Sequence, residues 1–556
     1  MKTILQFFYE WEATRPDAPF LRQPAGDSWK TISWREAGQE ARKIAAGLQR
    51  LGLQPGDHVG MVSKNCYHWI IADLAMMMGR FVSVPFYPNL TARQLAEVIE
   101  LGDVKALFVG KLDDWHTMRG GVPEGLPTIR FPQYTGNSPV ADGIAWEEWI
   151  AHPETLQGNP GPELDELWTV LFTSGTTGTP KGVMLSYASP ARLMEMEYTH
   201  HRLKIFKGDE HRFFSYLPLN HIAERIIVEC AALWTGGTIS FAESLDTFAK
   251  NLQQTQPTLF MAVPRIWTKF QMGILARIPE KRLNLLLRLP LLSGFLKKKL
   301  ALGLGLSKAR ILLTGAAPAP NALKDFFFRL GLPIQEVYAM TENCGGCTLM
   351  PAGGIQPGTV GTALPGVDIR IDPDTGEVLA KAPWNMLGYY NAPEKTAEVL
   401  RDGWLHTGDQ GEMGPDGHLR LTGRVSDTFK SAKGKFIAPA PIEWGFAENA
   451  CIEQICVAGL AIPQPLALVV LSESGQKTPR ETLLEEIRST LAQVNAKLPK
   501  YEWVKGVVIL KEPWTVENGV LTPTLKIRRN VLHQRFQEKL QAWYELNQDV
   551  IWEAEC

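Results

Sequence analysis

Residues 173–182 read Thr-Ser-Gly-Thr-Thr-Gly-Thr-Pro-Lys-Gly and directly follow the mostly apolar run Leu167 to Phe172. A buried strand that opens into such a loop limits the chain to folds with a sheet behind a phosphate-holding turn. Glycines such as Gly175 and Gly178 let the backbone turn sharply and bring N–H groups close to an anion. The hydroxyls of Thr173, Ser174, Thr176 and Thr177 add donors, and Lys181 adds positive charge. A nucleoside triphosphate is the natural guest. The Walker pattern ends in Gly-Lys-Ser/Thr, whereas Lys181 lies between Pro180 and Gly182, so no hydroxyl stands beside the lysine to ligate magnesium. An ordinary P-loop NTPase is therefore disfavoured. A flexible Ser/Thr/Gly linker is the bland reading, but linkers seldom follow a buried strand or carry a Pro-Lys-Gly ending.

At 556 residues, 45% hydrophobic and 21% charged, the chain is globular and too long for one core, so two or more domains are expected. A formal net charge of −2 argues against a nucleic-acid binder. No run of about 18 uninterrupted apolar residues occurs, and the segment Met1 to Asp17 turns acidic too early for a signal peptide. The expected location is cytoplasmic. Seven cysteines, an odd number spread over a long chain, suit reduced thiols rather than a disulfide framework. Cys344-Gly-Gly-Cys347 has CxxC spacing, but a structural zinc site needs a second ligand pair, and Cys451 and Cys456 lie about a hundred residues on. The spacing reads as coincidence, with a redox role as the alternative.

Strand-like segments at His58 to Val62, Phe81 to Pro85, Ala106 to Val109, Leu167 to Phe172, Phe213 to Leu217, Thr258 to Val263 and Arg310 to Thr314 alternate with helical stretches such as Trp34 to Leu51 and Thr91 to Leu101. That alternation is the signature of α/β layers. From about residue 358 short strands with turn signals, among them Asp374-Thr-Gly and Pro415-Asp-Gly, indicate a β-rich subdomain. Beyond Arg424 come a helix near Ile442 to Asn449, a strand near Ala467 to Leu471, and helices at Thr482 to Leu498 and Val531 to Leu546. The expected organisation is a large α/β domain over 1–424 and a small α+β domain over 425–556.

Further segments, in the same order along the chain, resemble the adenylate-forming superfamily of acyl-CoA synthetases, luciferases and peptide-synthetase adenylation domains. Besides the loop they are Tyr338-Ala-Met-Thr-Glu342, Gly403-Trp-Leu-His-Thr-Gly-Asp409, Leu421-Thr-Gly-Arg424 and Leu521-Thr-Pro-Thr-Leu-Lys526. Each alone is weak to moderate evidence; five in order make accident very improbable. Three more stretches look like the long-chain acyl-CoA synthetases within it: Tyr216 to Arg225, Ala262 to Trp267 and Phe429 to Glu443. The resemblance implies a fatty acid as the carboxylate, ATP and CoA as co-substrates, and Mg²⁺. It also implies a small C-terminal domain that moves. A relative that passes the acyl group to a carrier protein, or closes a β-lactone from a hydroxy acid, is the nearest alternative.

Residue by residue, the resemblance makes Glu342 the Mg²⁺ ligand, has Thr341 contact the α-phosphate, and stacks Tyr338 on adenine beside Gly315-Ala316-Ala317. Asp409 has two carboxylate oxygens suited to a vicinal diol and is assigned to the ribose hydroxyls. Arg424 reaches the same ribose or the phosphate by forked donors. Lys526 is implied to bridge substrate carboxylate and α-phosphate, stabilising the pentavalent state. Ser426 stands at the pivot between two orientations of the small domain, where many relatives carry aspartate or lysine. The loop from Ser431 through Gly434 to Lys435 is implied to line the pantetheine channel, with Lys433 and Lys435 either meeting CoA phosphates or forming a solvated basic loop.

Trp267 matches a gate tryptophan of long-chain synthetases, with an ordinary core aromatic as the alternative. Gly345 and Gly346 are implied to let an acyl chain pass beside backbone. His221 and Glu224 border the carboxylate end or form a structural buried pair. Residues 281–310 hold eight Lys/Arg, no Asp or Glu, and many leucines around Pro290 and Gly294, a composition for peripheral contact with an anionic bilayer or for a solvated helix pair. Chain-length preference and oligomeric state have no local signature, because both depend on side chains far apart in the chain.

Overall fold

The computed structural model describes residues 1–556 except 174–179, 318, 352, 354, 434, 448, 461, 517 and 523–526, and leaves the side chains of Leu291 and Phe436 aside. Chain contacts divide it into two units: a larger one of residues within 1–368 with Ala380–Leu405, and a smaller one holding Ile369–Leu379 and His406–Cys556.

The largest sheet of the larger unit has eight strands. They run in the order Gly388–Tyr389, Lys181–Ser186, Leu167–Thr173, Val82–Phe86, His58–Val62, Val104–Val109, Thr128–Arg130 and Ile144–Ala145. From Leu167–Thr173 to the Ile144 edge the pairing is parallel, and the first three strands pair antiparallel. Parallel strands are covered on both faces and so read as apolar runs without alternation, as His58–Val62 and Val82–Phe86 do, every residue buried. Gly60 is required there, since a Cβ would lie 2.9 Å from Leu107 Cδ1. One covering helix, Tyr67–Gly79, is apolar nearly all round and wholly buried. Outside it, Trp34–Arg50 begins with a Ser33/Glu36 capping box and buries Ala37, Ala41, Ile44, Ala45 and Leu48 on one stripe.

A second, five-stranded sheet runs Leu259–Met261, Ile311–Thr314, Ile334–Tyr338, Thr348–Leu349 and Thr362–Ala363. A third joins Arg212–Ser215 and Thr238–Phe241 to the hairpin Pro19–Ala25/Ser28–Ser33. The strand expected over Phe213 to Leu217 stops at Ser215, because the next amide, Tyr216 N, donates to the Glu224 carboxylate at 2.8 Å instead of a ladder partner. Short strands do multiply from Thr362 onwards.

The smaller unit has a four-stranded sheet, Ile452–Ala458, Leu466–Leu471, Gly506–Ile509 and Val550–Trp552 in that order, between helices. Arg480–Ala496 packs Leu483, Ile487, Leu491 and Val494 on one face, while Arg529–Glu545 packs Leu532, Phe536, Leu540 and Trp543 on the other. The fold is mixed α/β with a large N-terminal part and a separate C-terminal one, as the alternation indicated.

Candidate active site

Thr173 ends the strand Leu167–Thr173 and Lys181 begins Lys181–Ser186; the two are direct cross-strand partners, with Thr173 Oγ1 donating to the Lys181 carbonyl at 3.4 Å. The two ends of the loop expected to hold phosphate are thus fixed opposite each other on the largest sheet. Ser174, Gly175, Thr176, Thr177 and Gly178 lie outside the described residues.

The neighbouring edge strand Gly388–Tyr389 supplies a group that no motif announced. Tyr389 sits opposite Val183, and its ring lies under the Lys181 ammonium, 5.1 Å from Nζ to the centroid. Its hydroxyl donates to Glu342 Oε1 at 2.8 Å. Lys181, Tyr389 and Glu342, far apart in sequence, therefore form one contiguous array. Burial, reinforced by the Glu342 charge, raises the Tyr389 phenol above its ordinary value, so it stays a donor at any working pH. The strand needs Gly388, whose φ is +148° and whose Cβ would lie 2.7 Å from Thr396 Cγ2; Thr396 Oγ1 in turn accepts the Tyr389 amide at 2.8 Å. A tyrosine in a short apolar stretch carries little signal in sequence; only strand pairing puts it here.

Glu342 is buried and lies in the 3₁₀ turn Thr341–Asn343. The turn is held by Asn343 Oδ1 accepting the Met340 amide at 2.9 Å, and the Glu342 carbonyl accepts the Met386 amide at 2.8 Å. Just upstream, Tyr338 ends Ile334–Tyr338, which runs parallel to Ile311–Thr314, with Thr314 opposite Glu336. Gly315, Ala316 and Ala317 thus follow one strand's C-terminal end while Tyr338 closes its neighbour, the crevice where open α/β sheets bind ligands. Gly315 has no room for a Cβ, which would lie 2.7 Å from Val337 Cγ2, and Ala316 holds a left-handed φ of +65°. The buried Lys324–Glu336 pair, 2.6 Å, anchors this edge, Glu336 also accepting the Ala319 amide.

The residues expected along the acyl path are packed tightly. Trp267 is fully buried among Phe260, Phe270 and Phe327, its indole N–H donating to the carbonyls of Ala262 (3.1 Å) and Leu313 (3.3 Å). That is the environment of a core tryptophan. A Cβ at Gly346 would lie 2.5 Å from Leu193 Cδ1, and the Trp384 indole donates to the Gly346 carbonyl at 2.8 Å, so glycine there serves close packing. Gly345 has φ +76° and faces Ile222 and Ile226. Cys344 and Cys347 are both buried, and burial pushes the Cys344 thiol above its ordinary value, which suits an inert cysteine.

His221 caps the short helix Ile222–Glu224, its Nδ1 accepting the Ala223 amide at 3.2 Å. Glu224 is buried beside Asn65 and Tyr216, and desolvation pushes its carboxyl up to about 8. Arg225 follows in a π-helical stretch, Arg225–Cys230, and donates to Glu229 at 2.9 Å, to Thr169 at 3.1 Å and to Asp73, with Trp168 stacked beneath it at 4.2 Å. Burial pushes the Glu229 carboxyl well above the usual range.

In the smaller unit Asp409, on Trp404–Met413, is the cross-strand partner of Arg424, on Leu419–Arg424, and Arg424 Nε donates to Asp409 Oδ1 at 2.8 Å. The two residues assigned to the ribose thus meet. Ser426 lies in the 3₁₀ turn Val425–Asp427 and donates to Asp427 Oδ1 at 3.3 Å. Arg529 Nε donates to the other Asp427 oxygen at 2.8 Å, while its remaining nitrogens grip Glu443, which also accepts the Val457 amide at 2.6 Å. Lys435 Nζ lies 5.9 Å from the Tyr501 ring centroid, and the buried Ser431 amide donates to the Lys435 carbonyl. Gly434 and Lys526 lie outside the described residues; Leu521 and Ile527, on either side of Lys526, form an antiparallel bridge.

A family model described as AMP-binding enzyme matches residues 8–390, and its companion, AMP-binding enzyme C-terminal domain, matches residues 426–548. The chain belongs to the AMP-binding enzyme family. Among curated relatives of this AMP-binding enzyme, "Long-chain-fatty-acid--CoA ligase FadD15" of Mycobacterium bovis is 28% identical over 97% of both chains. "Long-chain-fatty-acid--CoA ligase 5" of Rattus norvegicus is 29% identical over 98% of this chain and 89% of its own. Among solved structures, an anthranilate CoA ligase in complex with anthranoyl-AMP matches with a TM-score of 0.78 at 18% identity, covering 97% of this chain and 98% of its own. The fold is that of adenylate-forming enzymes.

Proposed function

We propose that this enzyme is an AMP-forming long-chain fatty acid:CoA ligase. It activates the acid as acyl-AMP with release of pyrophosphate, then transfers the acyl group to the thiol of CoA with release of AMP. The observation that carries the reading is the Lys181–Tyr389–Glu342 array on the phosphate-loop sheet, in a chain whose curated relatives are named for that reaction.

A carboxylate is a poor electrophile, and its oxygen attacks the α-phosphate only if the anionic centres are screened in place. Lys181 and the loop from Thr173 to Gly178 hold the β- and γ-phosphates that leave. Thr341 meets the α-phosphate, Tyr338 stacks on adenine against Gly315, and Lys526 bridges the acid and the α-phosphate. Asp409 and Arg424 receive the ribose. Among the described residues no cluster of three or more metal-ligating side chains occurs, and Glu342 offers a single buried carboxylate oriented by Tyr389. That donor set fits Mg²⁺, which takes one or two carboxylates and completes its shell with phosphate oxygens and water. When bound, the ion supplies charge neutralisation to the phosphates.

For the second half-reaction the small domain turns about Ser426, withdrawing Lys526 and bringing Ser431 to Lys435 to the CoA thiol. Trp267 and Glu224 act as packed supports rather than as groups meeting substrate. The test is the initial rate of AMP formation across saturated acids from short to long, with and without CoA. A rise with chain length and a CoA-dependent thioester product are expected. AMP release indifferent to CoA, with no thioester formed, overturns the ligase; a preference for short or aromatic acids overturns the substrate class.

A further inference from the structure

Residues 281–310 hold eight Lys/Arg and no acidic side chain, and six of those cations lie on two helices of the larger unit, Glu280–Arg288, which opens with an acidic residue, and Pro290–Gly303. Their inner faces are anchored: Leu283, Leu287, Leu296 and Leu300 pack into the core around Trp267 and Phe327. Arg329 donates to Asn284 Oδ1 at 2.7 Å and pairs with Glu280 at 3.7 Å. With that side committed, the outer side is defined by spacing. On the second helix Leu292, Phe295, Lys299 and Leu302 recur at intervals of three and four, one stripe along the helix, and Phe295 is 69% exposed. On the first, Leu285 is 61% exposed beside the exposed Lys281 and Arg288.

Large apolar side chains aligned on a solvent face, set among cations, call for a partner that is apolar and negatively charged together. Charge selects the occupant. A second copy docking face to face would set these cations against their equivalents, whereas an anionic bilayer offers phosphates at the level of the ammonium groups and acyl chains just beneath. No helix among the described residues is long and apolar enough to cross a membrane, so contact through this face is peripheral.

We propose that the helices Glu280–Arg288 and Pro290–Gly303 form a peripheral docking surface for an anionic lipid bilayer. Leu285, Leu292, Phe295 and Leu302 enter the headgroup boundary, and Lys281, Arg288, Lys298 and Lys299 meet lipid phosphates. The inference does not depend on the proposed reaction, since its test reads binding and not catalysis.

The experiment is co-sedimentation of the full chain with vesicles of phosphatidylcholine alone and of phosphatidylcholine containing about a quarter phosphatidylglycerol. Binding is expected only to the anionic vesicles and is released by high salt. Replacing Lys281, Lys298 and Lys299 by glutamine is expected to lower the partition coefficient on the order of a hundredfold, as three lost charges near a surface imply. The double variant Leu292→Ser, Phe295→Ser weakens binding while keeping the salt dependence. All these side chains are at least partly exposed, and unchanged thermal melting verifies folding. Equal binding to both vesicle types, or anionic binding untouched by either variant set, overturns the proposal. So does concentration-dependent self-association that Phe295→Ser abolishes, which assigns the face to a second copy.

Discussion

Each unit of the molecule ties two carboxylates with one arginine, and the two clusters differ in depth. In the larger unit Arg225 holds Asp73 and Glu229 with all three side chains essentially unexposed, over the rings of Trp69 and Trp168. In the smaller unit Arg529 holds Asp427 and Glu443, side chains 10–20% exposed, and it joins the turn carrying Ser426 to a position three residues beyond Lys526. The first cluster fastens a helix to the largest sheet at Thr169, on the strand that leads to the phosphate loop. The second links the elements that the proposed mechanism needs to move as a body. The same chemistry thus makes a fully buried foundation at one place and, at the other, a brace for the turn carrying Ser426, the joint of the proposed mechanism. Solvent access is the difference, because a charge pair is hardest to break where water cannot replace the lost partner.

The comparison is tested most strongly by Arg225→Met. It strands Asp73 and Glu229 in the core and is expected to cost about 3–5 kcal/mol, read as a lower urea midpoint. Arg529→Gln leaves its carboxylates within reach of water and is expected to cost about 1–3 kcal/mol, with the ratio of acyl-AMP formation to thioester formation shifted several-fold. Equal stability losses from the two variants break the depth argument; an unchanged ratio removes Arg529 from the joint.

Tyr389→Phe keeps the ring under Lys181 but deletes the hydrogen bond to Glu342. A roughly tenfold fall in the adenylation rate and a higher Mg²⁺ requirement are expected, with thioester formation from supplied acyl-AMP unchanged. A shift confined to the second half-reaction would move Tyr389 out of the phosphate array.

The remaining effect is a pH slope. Glu224 has a folded-state pKa of about 8 against an ordinary 4.5, so between those values the folded chain binds more protons than the unfolded one. Stability must then fall as pH rises through that window, by up to about 1.4 kcal/mol per unit. Glu224→Gln, which preserves the acceptor oxygen, should show a shallower decline of urea midpoint with pH; parallel curves for the two proteins would show that Glu224 ionises freely.

Much of this was legible along the chain. The helices Trp34–Arg50 and Ala92–Leu101 appear where the helical stretches were expected, and the parallel strands where continuous apolar runs were, because these signals depend on neighbours a few residues apart. The glycines were harder to read. Gly346 has the same sequence signal as a glycine opened for a ligand, yet its reason is the presence of Leu193 and Trp384 against its α-carbon. Trp267 is a similar case: the motif marks the residue, while Phe260, Phe327 and two carbonyls define its surroundings.

The sequence alone determined the α/β layering, the glycine- and threonine-rich composition between Thr173 and Lys181, and the ordered segments by which the chain resembles adenylate-forming enzymes. Tertiary structure decided that Tyr389 joins Lys181 to Glu342, that Asp409 meets Arg424, and that Arg529 braces the turn at Ser426. The physical reason is that a loop's composition is written in consecutive residues. A meeting between side chains tens to hundreds of positions apart is fixed by strand register, such as Tyr389 opposite Val183, and by which buried charges find partners.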